Sequence, residues 1–214
     1  MNKAIIFDMD GTLFQTNLIL EPALESTFDE LRKIGLWSGK TPIEKYREIM
    51  GVPLPVVWET LCPSHSLENR EKSNEFFHKQ LIELIRSNKG ALYPNAERVL
   101  ETLSEKYKLY IASNGQVEYL RAIVEVYRLG RFIESTYSIQ LMPSGHKSHL
   151  VKKVIQENNI QIGAVVGDRS SDINAARDNN LLAVGVNFDF AQASELKSAD
   201  IVINDLEALL NLVI

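Results

Sequence analysis

The sequence has one cysteine, Cys62, and no long hydrophobic run. A lone cysteine cannot form a disulfide within the chain, and no stretch approaches the roughly 20 apolar residues that a membrane span needs. The apolar segment at residues 4–7 is also too short for the core of an export signal. We therefore expect a protein of the reducing cytoplasm that neither crosses nor binds a membrane.

Clustered basic residues are missing as well, and the formal net charge is −5. Proteins that bind nucleic acids or anionic bilayers carry blocks of Lys or Arg, so we expect neither as a partner. Residues 163–168 contain no glycine-rich fingerprint for a dinucleotide. His146 and His149 lie three residues apart, but without a Cys or a third His at ligand spacing they do not predict a zinc site.

The apolar residues that are present fall into short runs, which alternate with helical patterns. This alternation predicts an α/β fold with a Rossmann-like parallel sheet as its core. The predicted strands are residues 4–7, 109–112, 164–166, 183–186 and 201–203, and the predicted helices between them are residues 96–106, 117–127, 148–158 and 171–179.

The alternation stops directly after the first strand. Residues 15–89 show helical patterns only, including helices at 56–61 and 67–88, so we predict an inserted all-helical cap there. The remaining residues, 1–14 and 90–214, form the predicted α/β core. Because the insertion begins where the first strand ends, we expect it over the carboxyl edge of the sheet, where open α/β sheets bind ligands.

One helix of the insertion has a clear start signal. Thr41 reads as its N-cap, Pro42 as its first residue and Glu44 as the partner that completes a capping box, with the helix ending near Gly51. Four aromatic residues of the insertion are expected to pack a helical core: Trp37, Trp58, Phe76 and Phe77.

Two acids, Asp8 and Asp10, follow the first strand. In an extended segment residues two apart point to the same side, so we expect the two carboxylates to converge. Paired carboxylates stay close only when a cation compensates them or one is protonated. Gly11 then permits a tight turn. The alternative is a simple Asp-Gly turn with surface acids. That alternative gives no structural reason for a buried strand to lead into two acids.

Two further segments carry candidate site residues. Ser113 and Asn114 end the next core strand, where a hydroxyl and backbone N–H groups before a helix suit phosphate oxygens; the same residues also form ordinary loops. Asp168 ends another strand and Asp172 begins the following helix, a pattern that suits the oxygen ligands of Mg²⁺. An acid in a first helical turn also stabilises the helix dipole.

These motifs resemble the haloacid dehalogenase superfamily, in the branch similar to phosphoglycolate phosphatases and β-phosphoglucomutase. Residues 8–12, Asp-Met-Asp-Gly-Thr, match the first superfamily motif at every fixed position. The resemblance implies that Asp8 attacks phosphorus to form an aspartyl-phosphate and that Asp10 protonates the leaving group and later activates water. It also implies that Lys147 neutralises charge in the transition state and that Ser113 and the Asn114 amide bind the phosphoryl group.

The resemblance further implies a Mg²⁺ ion as cofactor. Its protein ligands would be the Asp8 carboxylate, the Asp10 backbone carbonyl and Asp168, with Asp172 acting through water or by orienting its neighbours. Three positions depart from the usual pattern: Ser148 replaces the proline that often follows the lysine, Gln15 stands where many relatives have an acid, and Asn95 stands where relatives usually have glycine.

The expected function is therefore a Mg²⁺-dependent phosphatase acting on a small phosphorylated metabolite, as a monomer or homodimer. In this superfamily the helical cap selects the leaving group, and Arg47 in the cap is either a contact for an anionic leaving group or a solvated helix residue. A phosphomutase is a first alternative, although residues 16–24 lack the histidine such enzymes keep. A non-catalytic module that binds a phospholigand is a second, although no acid or lysine of the motifs is missing.

Overall fold

The computed structural model describes residues 2–49, 52 and 54–214. Within these residues six strands form one sheet, in which every neighbouring pair is parallel and the order is β3-β2-β1-β4-β5-β6. The strands are β1 (Lys3–Phe7), β2 (Lys108–Ser113), β3 (Ile133–Ser138), β4 (Ile162–Gly167), β5 (Leu182–Val186) and β6 (Ile201–Ile203). The predicted α/β class with a Rossmann-like parallel sheet is confirmed.

The described part of the chain contains nine α-helices. They are α1 (Asn17–Lys33), α2 (Ile43–Glu48), α3 (Leu54–Leu61), α4 (Leu67–Arg86), α5 (Ala96–Ser104), α6 (Val117–Val126), α7 (Lys147–Glu157), α8 (Ser170–Asp178) and α9 (Ala193–Leu196). None of these described helices has the length and apolar character needed to cross a membrane.

The chain divides into two compact units. The first, called the α/β unit here, comprises residues 1–15 and 91–214 and contains the whole sheet with α5 to α9. The second, the helical unit, comprises residues 16–90 and contains α1 to α4.

The core of the α/β unit lies on both faces of the sheet. β1 is central, since Ile5 pairs with Leu109 on one side and with Ala164 on the other. Its side chains alternate between the faces, and Ile5 and Ile6 are both buried. A strand covered on both sides needs a continuous apolar run, which explains why β1, β2 and β4 could be recognised from sequence.

Strand β3 was not among the strands predicted from the sequence. Its six residues, Ile-Glu-Ser-Thr-Tyr-Ser, lack an apolar run because β3 lies at the edge of the sheet. Ile133 and Ser138 are buried, whereas Glu134, Ser135 and Thr136 are exposed. An edge strand tolerates such polar side chains, so β3 lacks the continuous apolar run that indicates a buried parallel strand.

The helical unit is packed around aromatic residues. Phe28 contacts Trp37 edge-on, with ring centroids 4.8 Å apart, and Trp58 lies between Phe28 and Phe77 at 6.2 and 5.8 Å. Trp58 also donates a hydrogen bond from Nε1 to Asn74 Oδ1 at 2.9 Å, so its one polar atom is satisfied.

The capping box predicted for α2 is wrong. The N-cap is Pro42, which makes no side-chain cap, and the helix begins at Ile43. The Thr41 hydroxyl accepts a hydrogen bond from the Arg32 guanidinium at 2.8 Å instead. The predicted end of this helix, near Gly51, lies outside the described residues.

Candidate active site

Asp8 and Asp168 lie at the carboxyl ends of neighbouring strands, β1 and β4. The Asp8 N–H donates to the Val166 carbonyl at 2.8 Å, which extends the pairing of the two strands by one residue. Because parallel strands end at the same edge of a sheet, the two acids are brought together there. Both are buried, with exposed fractions of 7% and 1%.

The turn after β1 brings the backbone close to Asp168. Gly11 has φ = +74°, a conformation that favours glycine, and a Cβ atom at this position would lie 2.5 Å from Asp168 Oδ2. The Thr12 hydroxyl donates to Asp168 Oδ1 at 3.2 Å. The glycine and threonine of the first motif therefore shape the surroundings of an acid far away in the sequence.

Asp172 and Lys147 complete a buried charged group. The Lys147 ammonium lies 2.7 Å from Asp8 Oδ1 and is also ion-paired with Asp172 Oδ1. Asp172 lies in the first turn of α8, where its Oδ2 accepts a hydrogen bond from the Arg169 N–H at 3.1 Å. Lys147 is the first residue of α7 and is buried. The ion pairs therefore connect three elements, because Asp8 follows β1 and Asp172 lies in α8.

Three carboxylates form what we call the acid cluster: Asp8, Asp168 and Asp172 each offer one oxygen, and these oxygens lie within 4.8 Å of one another. Burial raises the pKa of Asp8 above its ordinary value, and the charge of Asp10 adds to that effect. Burial raises the pKa of Asp168 well above the ordinary value, with Asp8 and Asp172 contributing, and it raises the pKa of Asp172 to about 6.

Lys147 responds in the opposite direction to its surroundings. Burial alone would lower the pKa of its ammonium, but Asp172 and Asp8 together raise the pKa above the ordinary value. Lys147 therefore stays charged and offsets one of the three carboxylates.

The acid cluster fits a divalent cation. When all three carboxylates are ionised, Lys147 leaves two negative charges uncompensated in a buried site, which is strongly unfavourable without a counterion. Carboxylate oxygens are the ligands that Mg²⁺ takes in proteins, and one or two of them suffice beside water and a substrate phosphate. The charge and the oxygen ligands of the acid cluster therefore fit a bound Mg²⁺ ion.

Ser113 lies at the same edge of the sheet. It is the last residue of β2, the neighbour of β1 on the side away from β4, and its side chain is buried. Its Oγ accepts a hydrogen bond from the Gly115 N–H at 3.0 Å. Asn114 follows it directly and is half-buried. Ser113, Asp8 and Asp168 therefore lie at the carboxyl ends of three adjacent strands, β2, β1 and β4.

Asp10 lies beyond the end of the strand that leads to Asp8. β1 ends at Phe7, so Asp10 lies in the following turn, where the alternation of a strand no longer applies. Its Oδ1 accepts a hydrogen bond from the Tyr119 hydroxyl at 2.5 Å, and Asp10 is not one of the three clustered acids. Its charge is still near enough to affect Asp8.

Tyr119 and Thr12 were not singled out as site residues from the sequence. Thr12 carried a signal, since it belongs to the matched first motif, but only the fold shows that it contacts Asp168. Tyr119 lies in the first turn of α6, and no spacing connects it to Asp10 along the chain.

A sequence model of the family described as haloacid dehalogenase-like hydrolase matches residues 5–186, which is most of the chain. The chain belongs to this family. The superfamily predicted from the motifs is thereby confirmed.

Two curated relatives of this haloacid dehalogenase-like hydrolase have named activities. The phosphorylated carbohydrates phosphatase of Thermotoga maritima is 34% identical over 119 residues, which are 52% of this chain and half of the Thermotoga protein. The pyrophosphatase PpaX of Listeria monocytogenes is 25% identical over 189 residues, covering 85% of this chain and 82% of the relative.

The family fold also matches solved structures. CbbY of Rhodobacter sphaeroides, solved in complex with phosphate, superimposes with a TM-score of 0.83 over 99% of this chain and 100% of that protein. With 15% sequence identity this likeness shows the shared fold alone.

Proposed function

We propose that this haloacid dehalogenase-like hydrolase is a Mg²⁺-dependent phosphatase that hydrolyses a small phosphorylated metabolite through an aspartyl-phosphate on Asp8. The observation that carries the proposal is the acid cluster with Lys147 at the carboxyl edge of the sheet. Its family and its relatives named as phosphatase and pyrophosphatase bear out the broader prediction of a hydrolase acting on phosphate esters.

Asp8 is the proposed nucleophile. A carboxylate that attacks phosphorus divides a slow displacement into two faster ones, with a covalent intermediate between them. Lys147 is 2.7 Å from Asp8 Oδ1, so it keeps this oxygen ionised and in place and offsets charge as the phosphoryl group is transferred.

The proposed metal ligands are the carboxylates of Asp8 and Asp168 and the backbone carbonyl of Asp10. Mg²⁺ bound there supplies compensation for the negative charge of the phosphoryl oxygens. Asp172 has one oxygen paired with Lys147 and the other bonded to the Arg169 N–H. These contacts support a role in orienting Lys147 and the turn after Asp168.

Two further steps depend on the neighbouring loops. Ser113 and the Asn114 amide are proposed to donate hydrogen bonds to the phosphoryl oxygens, since they follow the strand next to the nucleophile. Asp10 gives a proton to the leaving group and then takes one from the attacking water. The helical unit is proposed to act as the cap that selects the leaving group, and the reducing cytoplasm stays our prediction for its location.

The test is Mg²⁺-dependent release of phosphate from p-nitrophenyl phosphate. Wild type should turn over, EDTA should abolish turnover, and Asp8→Asn should lower it by about 10⁴-fold or more because the nucleophile is gone. Asp29→Asn is the matched control, since Asp29 is an exposed acid of the helical unit, and it should behave as wild type. Full activity in Asp8→Asn would contradict the proposal.

The covalent intermediate and the leaving group need separate measurements. Intact-mass analysis after an acid quench should show a phosphate adduct in wild type and none in Asp8→Asn. A screen of sugar phosphates, pyrophosphate and nucleotides, followed by ³¹P NMR, distinguishes released phosphate from a phosphoryl group returned to a second hydroxyl, which would indicate a mutase.

A further inference from the structure

The Tyr119 hydroxyl is a direct partner of the Asp10 carboxylate. It donates to Asp10 Oδ1 at 2.5 Å, at the short end of the range for a hydroxyl that bonds a carboxylate. Tyr119 is 3% exposed and Asp10 is half-buried. A hydrogen bond from a buried side chain to an acid at the proposed site restricts the orientation of that acid.

The Tyr119 ring packs closely against the backbone of Gly115. A Cβ atom at Gly115 would lie 2.9 Å from Leu120 Cδ2 and 3.1 Å from the Tyr119 ring carbon Cδ1, so glycine permits this close packing. Gly115 is itself held at both ends, because its N–H donates to Ser113 Oγ at 3.0 Å and its carbonyl accepts from Ser138 Oγ at 2.6 Å.

The backbone of Asp10 is equally constrained. The Gly11 N–H donates to the Phe14 carbonyl at 3.1 Å, and the Phe14 N–H donates to the Met9 carbonyl at 2.9 Å. These bonds close a tight turn around Asp10. The backbone bonds do not set the χ angles of the Asp10 side chain. The Tyr119 hydroxyl contacts that side chain directly.

We infer that Tyr119 is a positioning residue that orients Asp10 for proton transfer to the leaving group, an inference that rests on the proposed function. An Asp8 oxygen forms a bond to phosphorus, and the bond from phosphorus to the leaving oxygen breaks with its electron pair. That oxygen takes the proton from Asp10 Oδ2. Tyr119 keeps its own proton and its hydrogen bond to Oδ1.

The hydrogen bond from Tyr119 strengthens during this step. As Asp10 loses its proton, its carboxyl group becomes an anion, and a hydrogen bond to an anionic acceptor is about twice as strong as one to a neutral acceptor. An interaction that is stronger in the transition state than before it accelerates the reaction. Tyr119 also packs on the segment that carries Ser113, so the acid and the phosphate-binding loop share one support.

The role has a specific signature, which is the dependence on the leaving group. A nitrophenolate departs without a proton, whereas phenolate and methoxyphenolate are more basic and depend on the acid. Tyr119→Phe keeps the ring and removes the hydroxyl. Its kcat/KM for phenyl phosphate should fall by about tenfold or more, while that for p-nitrophenyl phosphate changes by less than about threefold.

Two controls separate positioning from a structural effect. Tyr107→Phe also removes a hydrogen-bonded phenol, since Tyr107 donates to the Leu212 carbonyl at 3.3 Å, and it should show the leaving-group dependence of wild type. In an Asp10→Asn background, adding Tyr119→Phe should change kcat/KM by less than about twofold, because both substitutions remove one function. The ratio between two substrates does not depend on the fraction of folded protein.

The outcomes are distinct. An equal loss of kcat/KM for all aryl phosphates in Tyr119→Phe, or an increase, overturns the inference and leaves the proposed function standing. Additive losses in the double variant overturn it as well. If wild type hydrolyses none of the aryl phosphates, the proposed function fails and the inference fails with it. Inhibition by inorganic phosphate should stay within about twofold of wild type, because binding of the phosphoryl group is not assigned to Tyr119.

Discussion

The two compact units differ in the charged side chains that they bury. At the carboxyl edge of the α/β unit, the side chains of Asp8, Asp172 and Lys147 are 9%, 1% and 4% exposed. Among the described residues of the helical unit, each ion pair has at least one exposed partner, and in the pair of Lys72 with Glu68 both are exposed, at 68% and 73%. The interior of the helical unit is aromatic instead.

The difference separates charge that serves solubility from charge that serves chemistry. An exposed ion pair contributes about 0–1 kcal/mol and can be lost with little consequence. A buried group of charges is unfavourable unless its members compensate one another, so a fold keeps it only where it has another use. The comparison therefore supports the proposed site in the α/β unit, and the following substitutions test that proposal.

The largest effect is expected for Lys147→Met. Removing the ammonium leaves the acid cluster uncompensated, which should lower the free energy of unfolding by about 3–5 kcal/mol in the metal-free protein. The rate of phosphate release should fall by about 10³-fold because charge on the phosphoryl group loses a buried cation. Urea unfolding and steady-state kinetics measure the two effects.

Lys153→Met is the matched control on the same helix. Lys153 pairs with Glu157 four residues on, and both side chains are exposed. The free energy of unfolding should change by less than about 0.5 kcal/mol. Equal effects of the two substitutions would remove the distinction between buried and exposed charge.

The pH dependence of stability should have opposite signs in the two units. Burial lowers the pKa of His78, in the helical unit, to about 4. The unfolded chain therefore takes up a proton below about pH 6.5 that the folded chain refuses until about pH 4, and stability should fall by about 3 kcal/mol as pH drops through this window. His78→Gln, which does not titrate, should remove that loss in urea unfolding experiments.

Asp172 of the acid cluster changes the free energy of unfolding in the opposite direction over a similar pH range. The pKa of Asp172 is raised to about 6, so the unfolded chain releases this proton near pH 4 while the folded chain holds it. Its contribution to stability falls as pH rises from about 4 to about 6. The His78→Gln variant should therefore become less stable with rising pH in EDTA, and a flat or rising profile would contradict the assignment.

Asp168→Asn should raise the Mg²⁺ concentration needed for half-maximal phosphate release by about 100-fold, since a proposed ligand is lost. The asparagine can still accept the hydrogen bond from Thr12. Without metal the variant should be more stable than wild type, because one of three mutually repelling carboxylates is gone. Thermal unfolding with and without Mg²⁺ measures this, and an unchanged metal requirement would contradict the ligand set.

The smallest effect is expected for Arg47→Ala. Arg47 is ion-paired with Glu21 within the helical unit, and both side chains are exposed, so the free energy of unfolding should change by less than about 0.5 kcal/mol. Glu21→Ala is the control. A KM for a phosphorylated metabolite that rises in Arg47→Ala but not in Glu21→Ala would assign Arg47 to the leaving group.

The sequence alone predicted those features that depend on local pattern. β1 and β4 are continuous apolar runs ended by acids, so both the strands and the positions of Asp8 and Asp168 could be placed. β3 was missed because one side of an edge strand meets water. The capping box at Thr41 was predicted wrongly because Arg32, which is distant in sequence, takes the hydroxyl.

Contacts between distant residues account for the rest of the site. The bond from Tyr119 to Asp10 joins residues that are 109 positions apart, with the helical unit between them along the chain, and no periodicity or motif predicts such a pair. The same holds for the ion pair of Lys147 with Asp172, whose partners lie in the first turns of two different helices. Residue types and spacing indicate which side chains are available, and the fold decides which of them meet.

The chain leaves the α/β unit after Gln15 and rejoins it at Ala91, and these two segments are hydrogen-bonded to each other. The Gln15 N–H donates to the Ala91 carbonyl and the Tyr93 N–H donates to the Leu13 carbonyl, both at 2.9 Å, so the outgoing and returning segments are joined antiparallel. The α/β unit holds both ends of the inserted residues 16–90. The entropic cost of closing such an inserted segment grows only slowly with its length. The inserted helices can therefore change in length without a change in the sheet.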